Sequence, residues 1–87
     1  MSDVEPGSKQ VVTLFSAPGC HLCEQAHALL QPFERQGSLL VKDVNIRASA
    51  DLQRELGVRI PVVRFSDGLE LNWPFTAEQV KSALTGS

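Results

Sequence analysis

Cys20 and Cys23 are the two cysteines of the chain, and two residues separate them. A thiolate is a nucleophile, a metal ligand and one half of a disulfide, so a close pair is typical of catalytic, redox-sensing or metal-binding sites. A secreted domain of this size that depends on disulfides normally carries several pairs. We therefore expect functional thiol chemistry in a reducing, cytoplasmic compartment.

The residues around the pair place Cys20 at the start of a helix. The β-rich run 11–15 is broken by Pro18 and Gly19, and a helical pattern follows. A helix N-terminus offers unpaired N–H groups and a partial positive charge, which both favour the thiolate. Cys23 lies one turn further on the same face. The spacing predicts that Cys20 attacks a disulfide and that Cys23 resolves the mixed disulfide.

The other elements follow from periodicity and from residues that begin or end helices. We expect the first helix to continue past Pro32 and to stop near Gly37, because its apolar stripe continues to Phe33. The stripe consists of Leu22, Ala26, Leu29, Leu30 and Phe33. Further strands are expected at 39–46, 60–65 and 69–72, with a turn at Asp67-Gly68 between the last two. A short helix is expected to begin at a cap formed by Ser49 or Asp51 and to end at Gly57. A last helix is expected to begin with a capping box of Thr76 and Gln79, and its inner stripe consists of Ala77, Val80 and Leu84.

This order of elements, β-α-β-α-β-β-α with C-x-x-C after the first strand, resembles the thioredoxin-fold superfamily. Length and element order are most similar to the small bacterial glutaredoxin-like proteins. The motifs that carry the likeness are S-A-P-G-C-H-L-C-E at 16–24, V-R-I-P-V-V at 58–63 and D-G at 67–68. The resemblance covers nearly all of residues 10 to 84. It implies an α/β fold with a four-stranded mixed sheet flanked by three helices.

The resemblance also assigns roles to Ile60 and Pro61. It implies that Pro61 is a cis proline that faces the dithiol, at the entrance of a strand where proline is otherwise unusual. It implies further that the backbone of Ile60 pairs with the substrate as an added strand would. Together these two residues are expected to form a docking shelf for the substrate.

The sequence departs from the usual glutaredoxin pattern at several positions. The motif is C-H-L-C rather than C-P-Y-C, and Arg59 stands where the family has the threonine of Thr-Val-Pro. The basic residue expected before the first cysteine is absent. The glycine pair and acidic residue that seat glutathione are replaced by 72–76, N-W-P-F-T. We therefore expect no permanently bound cofactor, and glutathione is a doubtful reductant.

Four further side chains are candidates near the sulfurs. Arg59 either brings a permanent charge towards Cys20 or is a solvated loop residue. His21 is expected to favour the thiolate through its field. Trp73 is expected to have two roles, mainly to cover the core and in part to line the substrate groove. His27 shares a helix face with the cysteines, but a structural zinc site wants four ligands. We expect no metal site.

Composition limits the class of protein. With 87 residues, 43% of them hydrophobic, the chain is long enough for one domain, which we place at 10–85 behind a flexible leader at 1–9. The net charge of −2 and the lack of a basic cluster argue against nucleic acid. No apolar run is long enough to span a membrane, and we expect no signal peptide in the first nine residues. We expect a monomer.

The combined prediction is a dithiol thiol–disulfide oxidoreductase that acts on a protein or small-molecule disulfide, with an unknown reductant. Two other functions stay open at this point. One is a carrier of an iron–sulfur cluster or metal. The other is an interaction module that kept the fold and lost turnover.

Overall fold

The computed structural model describes residues 10–85, so the leader expected at 1–9 lies outside the described residues. Within that range the elements follow the predicted order β-α-β-α-β-β-α, and a single 3-10 turn, Ile46–Ala48, precedes the second helix. The strands and helices are β1 Gln10–Ser16, α1 His21–Arg35, β2 Leu39–Asn45, α2 Ala50–Leu56, β3 Val62–Arg64, β4 Glu70–Asn72 and α3 Ala77–Thr85.

The four strands form one mixed sheet in the order β2-β1-β3-β4. β1 and β2 are parallel, as a β-α-β unit requires, and their register runs from Gln10 opposite Leu39 to Ser16 opposite Asn45. β3 is antiparallel to both β1 and β4. The predicted α/β fold with a four-stranded mixed sheet is confirmed.

The core occupies both faces of this sheet. On one face the sheet packs against α1 and α3, and the buried residues are Val12, Leu14, Ala26, Leu30, Leu39, Val63, Phe65, Phe75 and Val80. On the other face it packs against α2, and the buried residues are Phe15, Ile46, Leu56 and Val62. The alternation of side chains along a strand sends Leu14 to the first face and Phe15 to the second. β1 is thus buried on both faces at its C-terminal end, where the site lies.

Helix α1 continues past Pro32, as expected, and ends in a Schellman motif. Gly37 has φ of +80°, its N–H donates to the Glu34 carbonyl at 3.0 Å, and the N–H of Ser38 donates to the Phe33 carbonyl at 2.9 Å. Only glycine adopts that backbone conformation without strain. Gly37 therefore fixes the turn from α1 into β2.

Three strands are shorter than predicted. β2 ends at Asn45 because the Asn45 side chain accepts the N–H of Arg47 at 2.9 Å and starts the 3-10 turn. β3 begins only at Val62, since the N–H of Ile60 donates back to the end of α2 and Pro61 has no N–H to give. Phe65 already belongs to the turn before β4, which begins at Glu70.

Two residues assigned to buried helix stripes lie on the surface instead. Leu22 is 46% exposed, because Cys23 takes the inward position in the first turn of α1. Ala77 is exposed, and the inner face of α3 is formed by Val80, Ala83 and Leu84. In both helices the buried stripe therefore begins later than periodicity predicts, at Cys23 in α1 and at Val80 in α3.

Candidate redox site

A tight turn delivers Cys20 to the start of α1. The N–H of Cys20 donates to the Ala17 carbonyl at 3.3 Å, and Gly19 has φ of +76°. Proline followed by a glycine with positive φ is the pattern of a type II turn. The sequence Ala17-Pro18-Gly19-Cys20 therefore forms a type II turn that joins β1 directly to the start of α1.

Cys20 and Cys23 form a disulfide with Cα atoms 5.2 Å apart. Cys20 is the N-cap of α1, and its Sγ accepts the backbone N–H of Cys23 at 3.1 Å. Cys20 is half-buried, whereas Cys23 is 5% exposed and belongs to the buried face of the helix. The outer sulfur thus lies where backbone donors stabilise a negative charge, and the inner sulfur is shielded from solvent.

The residues between the cysteines point outward. His21 is the first residue of α1 and is exposed, as is Leu22. Adjacent residues on a helix do not share a face, so any effect of His21 on the sulfurs acts through its field rather than by contact.

The Ile60–Pro61 peptide bond is cis. Phe15 pairs with Val62 across β1 and β3, so Pro61 falls opposite Ser16, the last residue of β1. Ile60 also packs on the same core cluster as Ala17, at the start of the turn that leads to Cys20. The topology therefore brings the proline and the dithiol turn to the same end of the sheet. The Trp73–Pro74 bond is cis as well.

Arg59 is held by β4. Its guanidinium donates to Glu70 at 3.0 Å and to Asn72 at 3.1 Å. Glu70 also receives a hydrogen bond from Arg64 at 2.8 Å, and the Arg64 guanidinium lies 4.8 Å from the centre of the Phe15 ring. Hydrogen bonds from Arg64 and then Arg59 hold the pKa of the Glu70 carboxyl below its ordinary value of 4.5. The network ties the loop before Pro61 to the hairpin.

Trp73 is placed mainly as a core residue. It is half-buried, packs on the main core cluster and meets Phe75 edge-to-face, with ring centroids 5.1 Å apart. Its backbone N–H donates to the carbonyl of Pro61 at 3.1 Å and extends the β3–β4 ladder. Trp73 therefore touches the proline through its main chain.

A cleft of about 270 Å³ lies beside the disulfide. Both cysteines line it, together with three titratable side chains: Glu24 and His27 from α1 and Asp43 from β2. His27 Nε2 lies 3.7 Å from an oxygen of Asp43. The sequence alone did not reveal this pair: His27 was considered only as a possible metal ligand, and Asp43 was not singled out. The spacing of four between Cys23 and His27 was a usable signal, but nothing local pointed to Asp43.

A larger groove of about 530 Å³ lies between β4 and α3 and is lined by Leu69, Leu71 and Thr76 among others. It contains neither cysteine nor histidine, so the chemistry belongs to the smaller cleft. Within residues 10–85 no group of three or more His, Cys, Asp or Glu side chains is arranged to hold a metal ion.

The family follows from a sequence comparison. The family model described as glutaredoxin-like domain (DUF836) matches residues 11–85. The chain belongs to this family. The resemblance to small glutaredoxin-like proteins is thereby confirmed, and the family together with the close cysteine pair fits a thiol–disulfide redox role. No curated protein matches the chain.

Solved structures agree with the fold. Target protein XcR50 from X. campestris is 37% identical with a TM-score of 0.73, and the match covers 87% of this chain and 97% of that one. Protein Ne2328 from Nitrosomonas europaea is 24% identical with a TM-score of 0.78, covering 98% and 99%. The Trx4 domain of ERdj5 is 18% identical with a TM-score of 0.61, covering 91% and 79%. At such identities the last two show the fold alone.

None of the helices in the described part of the chain is both long and apolar enough to cross a membrane.

Proposed function

We propose that the chain is a dithiol thiol–disulfide oxidoreductase in which Cys20 is the nucleophile and Cys23 the resolving thiol. The observation that carries the proposal is the disulfide at the start of α1, with Cys20 as the N-cap and Cys23 buried behind it. The reduced pair transfers two electrons to a substrate disulfide. Cys20 attacks one substrate sulfur, and Cys23 then displaces the substrate by attacking Cys20.

Substrate docking in this proposal uses the backbone next to the cis proline. Ile60 is half-buried and Pro61 is buried, so the main chain and not a long side chain forms the shelf. The shelf is supported from behind, because Pro61 accepts the N–H of Trp73 and Arg59 is paired with Glu70. A substrate segment would add to this edge by main-chain hydrogen bonds.

His21 and Arg59 have different roles in this proposal. His21, exposed beside Cys20, adds positive field when protonated and favours the thiolate. The Arg59 guanidinium is taken up by Glu70 and Asn72, so we assign Arg59 to holding the substrate shelf. Trp73 contributes mostly to packing beneath that shelf.

The partners are assigned by the same chemistry. The substrate is a protein or small-molecule disulfide, and the reductant is a thiol donor for which glutathione is a weak candidate, since the residues that seat it are replaced. We propose action as a monomer in a reducing, cytoplasmic compartment, without a bound cofactor, nucleic acid or membrane. We favour this function over an iron–sulfur carrier because carriers of the glutaredoxin type bind the cluster together with glutathione, and the residues that seat glutathione are replaced here.

Trapping with Cys23→Ser tests the function. Without the resolving thiol the mixed disulfide on Cys20 cannot break down by internal attack, so the variant is expected to accumulate a covalent adduct with its substrate. The adduct is detected by non-reducing electrophoresis and identified by mass spectrometry. Wild-type protein, incubated with a thiol donor and a disulfide-containing protein, is expected to turn over catalytically.

Cys20→Ser is the matched control, since it removes one sulfur from the same motif. It is expected to give no adduct and no turnover. Adducts that form equally on Cys20→Ser and Cys23→Ser, or a wild-type protein without catalytic turnover, would contradict the proposal.

A further inference from the structure

The cleft beside the disulfide contains a histidine–carboxylate pair that the dithiol exchange described above does not use. We propose that His27, backed by Asp43, accepts the proton of the Cys23 thiol when Cys23 resolves the mixed disulfide, and returns it when the disulfide is reduced. The proposal rests on the redox function proposed above and names the proton acceptor for its second step.

Cys23 needs such an acceptor because of where it lies. Only the thiolate attacks a disulfide, and burial in apolar surroundings disfavours the charged form of a thiol. Cys23 is 5% exposed and has Ala26 and Leu30 on the same buried face of α1. Cys20, by contrast, is half-buried at the helix start, where backbone donors stabilise its thiolate. The two thiols therefore differ in how they lose a proton.

His27 lies within reach of that thiol. Residues four apart on a helix are neighbours, with Cβ atoms roughly 5–6 Å apart. Cys23 and His27 have this spacing on α1, and both line the same cleft. The side chain of His27 is itself 40% exposed to solvent. A proton that passes from the thiol to the imidazole thus has a way out to water.

Asp43 approaches the imidazole from the neighbouring strand. It pairs in register with Leu14, which is buried under α1, so both side chains project to the α1 face of the sheet. One Asp43 oxygen lies 3.7 Å from Nε2 of His27. A carboxylate at that distance stabilises the positive charge that appears when the imidazole takes the proton.

The other groups around the cleft are less suited to the role. The charged or titratable residues that line it besides the cysteines are Glu24 and His27 from α1 and Asp43 from β2. Its β1 and turn residues, Leu14 and Ser16 to Gly19, carry none. A free carboxylate has a pKa near 4 and is therefore a weak base at neutral pH. A free imidazole has a pKa near 6.5, close to neutral pH, and is the better proton acceptor there. Charge and basicity therefore favour His27.

Resolution of the mixed disulfide moves one proton and replaces one disulfide bond by another. In the mixed disulfide, the S–H proton of Cys23 passes to His27, which becomes an imidazolium. The Cys23 thiolate attacks Sγ of Cys20, so the Cys20–Cys23 bond forms and the bond from Cys20 to the substrate sulfur breaks. The substrate leaves as a thiolate with the electron pair of the broken bond. The imidazolium then gives its proton to that thiolate or to water.

Stopped-flow oxidation by 5,5′-dithiobis(2-nitrobenzoate) separates the two steps. Cys20 of the reduced, full-length chain releases one coloured thiolate when it attacks the reagent, and resolution by Cys23 releases the second. Because this leaving group departs as an anion, the second phase reports the fate of the Cys23 proton. Cys23→Ser should release only the first equivalent.

His27→Gln is expected to slow the second phase by about 100-fold, within the usual contribution of a positioned proton acceptor, and to leave the first phase nearly unchanged. The wild-type second phase should accelerate as the pH rises, because only an unprotonated base can take the proton of the thiol. In His27→Gln that acceleration should vanish. Asp43→Asn should slow the second phase by a smaller factor, and added imidazole should partly rescue His27→Ala.

Lys42→Gln is the matched control, because Lys42 neighbours Asp43 on β2 but projects to the opposite face. A His27→Gln second phase within twofold of wild type overturns the proposal. A slowed second phase with an unchanged pH profile and no imidazole rescue overturns it too, since a merely structural role would give that result. Failure of the redox function itself appears elsewhere, as missing turnover and missing adducts with Cys23→Ser.

Discussion

The two sulfurs of the disulfide have unequal surroundings, and the proposed order of exchange follows from this inequality. Cys20 is half-buried and caps α1, while Cys23 lies on the buried face of the helix. In the proposed reaction an incoming thiolate meets Cys20 first, and Cys23 is the sulfur that leaves. The proposed proton donor for the departing Cys23 thiolate is His27, which lies beside Asp43 at the same cleft. Under this proposal the unequal surroundings of the two cysteines account for both the order of steps and the proton.

Glu70 is the residue whose ionisation we expect to contribute measurably to stability. It receives hydrogen bonds from Arg64 and Arg59, which hold its pKa below 4.5, and its side chain is 25% exposed. A lowered pKa in the folded state means that the ion pairs stabilise the fold fully above that ordinary value. The stabilisation is lost as the pH falls through the folded-state pKa. Glu70→Gln is expected to destabilise the protein by about 0.5–1 kcal/mol at pH 7, measured by urea unfolding.

The difference between wild type and Glu70→Gln should shrink as the pH is lowered below 4.5, because protonated Glu70 no longer pairs with the arginines. Glu55→Gln is the matched control, since Glu55 is an exposed residue of α2. It should change stability by less than about 0.5 kcal/mol. A constant difference between Glu70→Gln and wild type from pH 7 down to acid would contradict the assignment.

At the scale of the elements, signals carried by neighbouring residues predicted most of the framework. Proline and glycine at 18–19 set the turn before Cys20, Gly37 ended α1, and Asp67-Gly68 gave the hairpin, in which the Leu69 N–H donates to Asp67 at 3.1 Å. Each of these depends on backbone conformations that few residue types adopt. The dithiol at a helix start was predictable for the same reason.

Contacts between elements distant in sequence were not predictable in this way. The His27–Asp43 pair depends on how α1 lies across β2, which no local pattern encodes. The pairing of Arg64 with Glu70 had a signal, because both are three residues from Asp67 at the centre of the hairpin and so face each other. The pairing of Arg59 with Glu70 depends on the path of the loop before Pro61, which the sequence did not show. The register of two strands can be inferred from the turn that joins them, whereas the placement of a helix on a sheet cannot be inferred from any local sequence pattern.

The capping box of α3 gives the prediction at this scale. The N–H of Gln79 donates to the Thr76 hydroxyl at 3.1 Å, and the Thr76 N–H donates to the Gln79 side chain at 2.9 Å. Thr76→Ala removes the hydroxyl acceptor and is expected to cost about 1 kcal/mol. Thermal unfolding should show a melting temperature lower by about 4–8 °C.

Ser82→Ala controls for the loss of a hydroxyl on the same helix. Ser82 is an exposed interior position of α3, where alanine is the better helix former, so this change should be neutral or slightly stabilising. Equal melting temperatures for Thr76→Ala and Ser82→Ala would show that the capping box does not stabilise α3.

At the scale of the whole molecule, the two core clusters meet at β1, so the packing on both faces of the sheet is connected to the site. Leu14 and Phe15, neighbours in β1, belong to different clusters, and the turn to Cys20 follows directly. Helix α1 contributes Leu30 to one cluster and Cys23 to the site. A chain of this size has roughly 0.05–0.15 kcal/mol of stability per residue, so we expect the core and the site to unfold together.

Leu30→Ala tests whether the core and the site unfold together, and Leu40→Ala is its matched control. Leu30 is 0% exposed, and truncating a fully buried leucine costs about 2–5 kcal/mol, whereas Leu40 is 50% exposed and should cost less than about 1 kcal/mol. In urea the midpoint of Leu30→Ala should fall far more than that of Leu40→Ala. If core and site form one cooperative unit, the rate of the intramolecular step between Cys20 and Cys23 should change to its unfolded-chain value at the same urea concentration at which the far-ultraviolet circular dichroism signal is lost. A change of that rate well before unfolding would show instead that the helix start opens independently of the core.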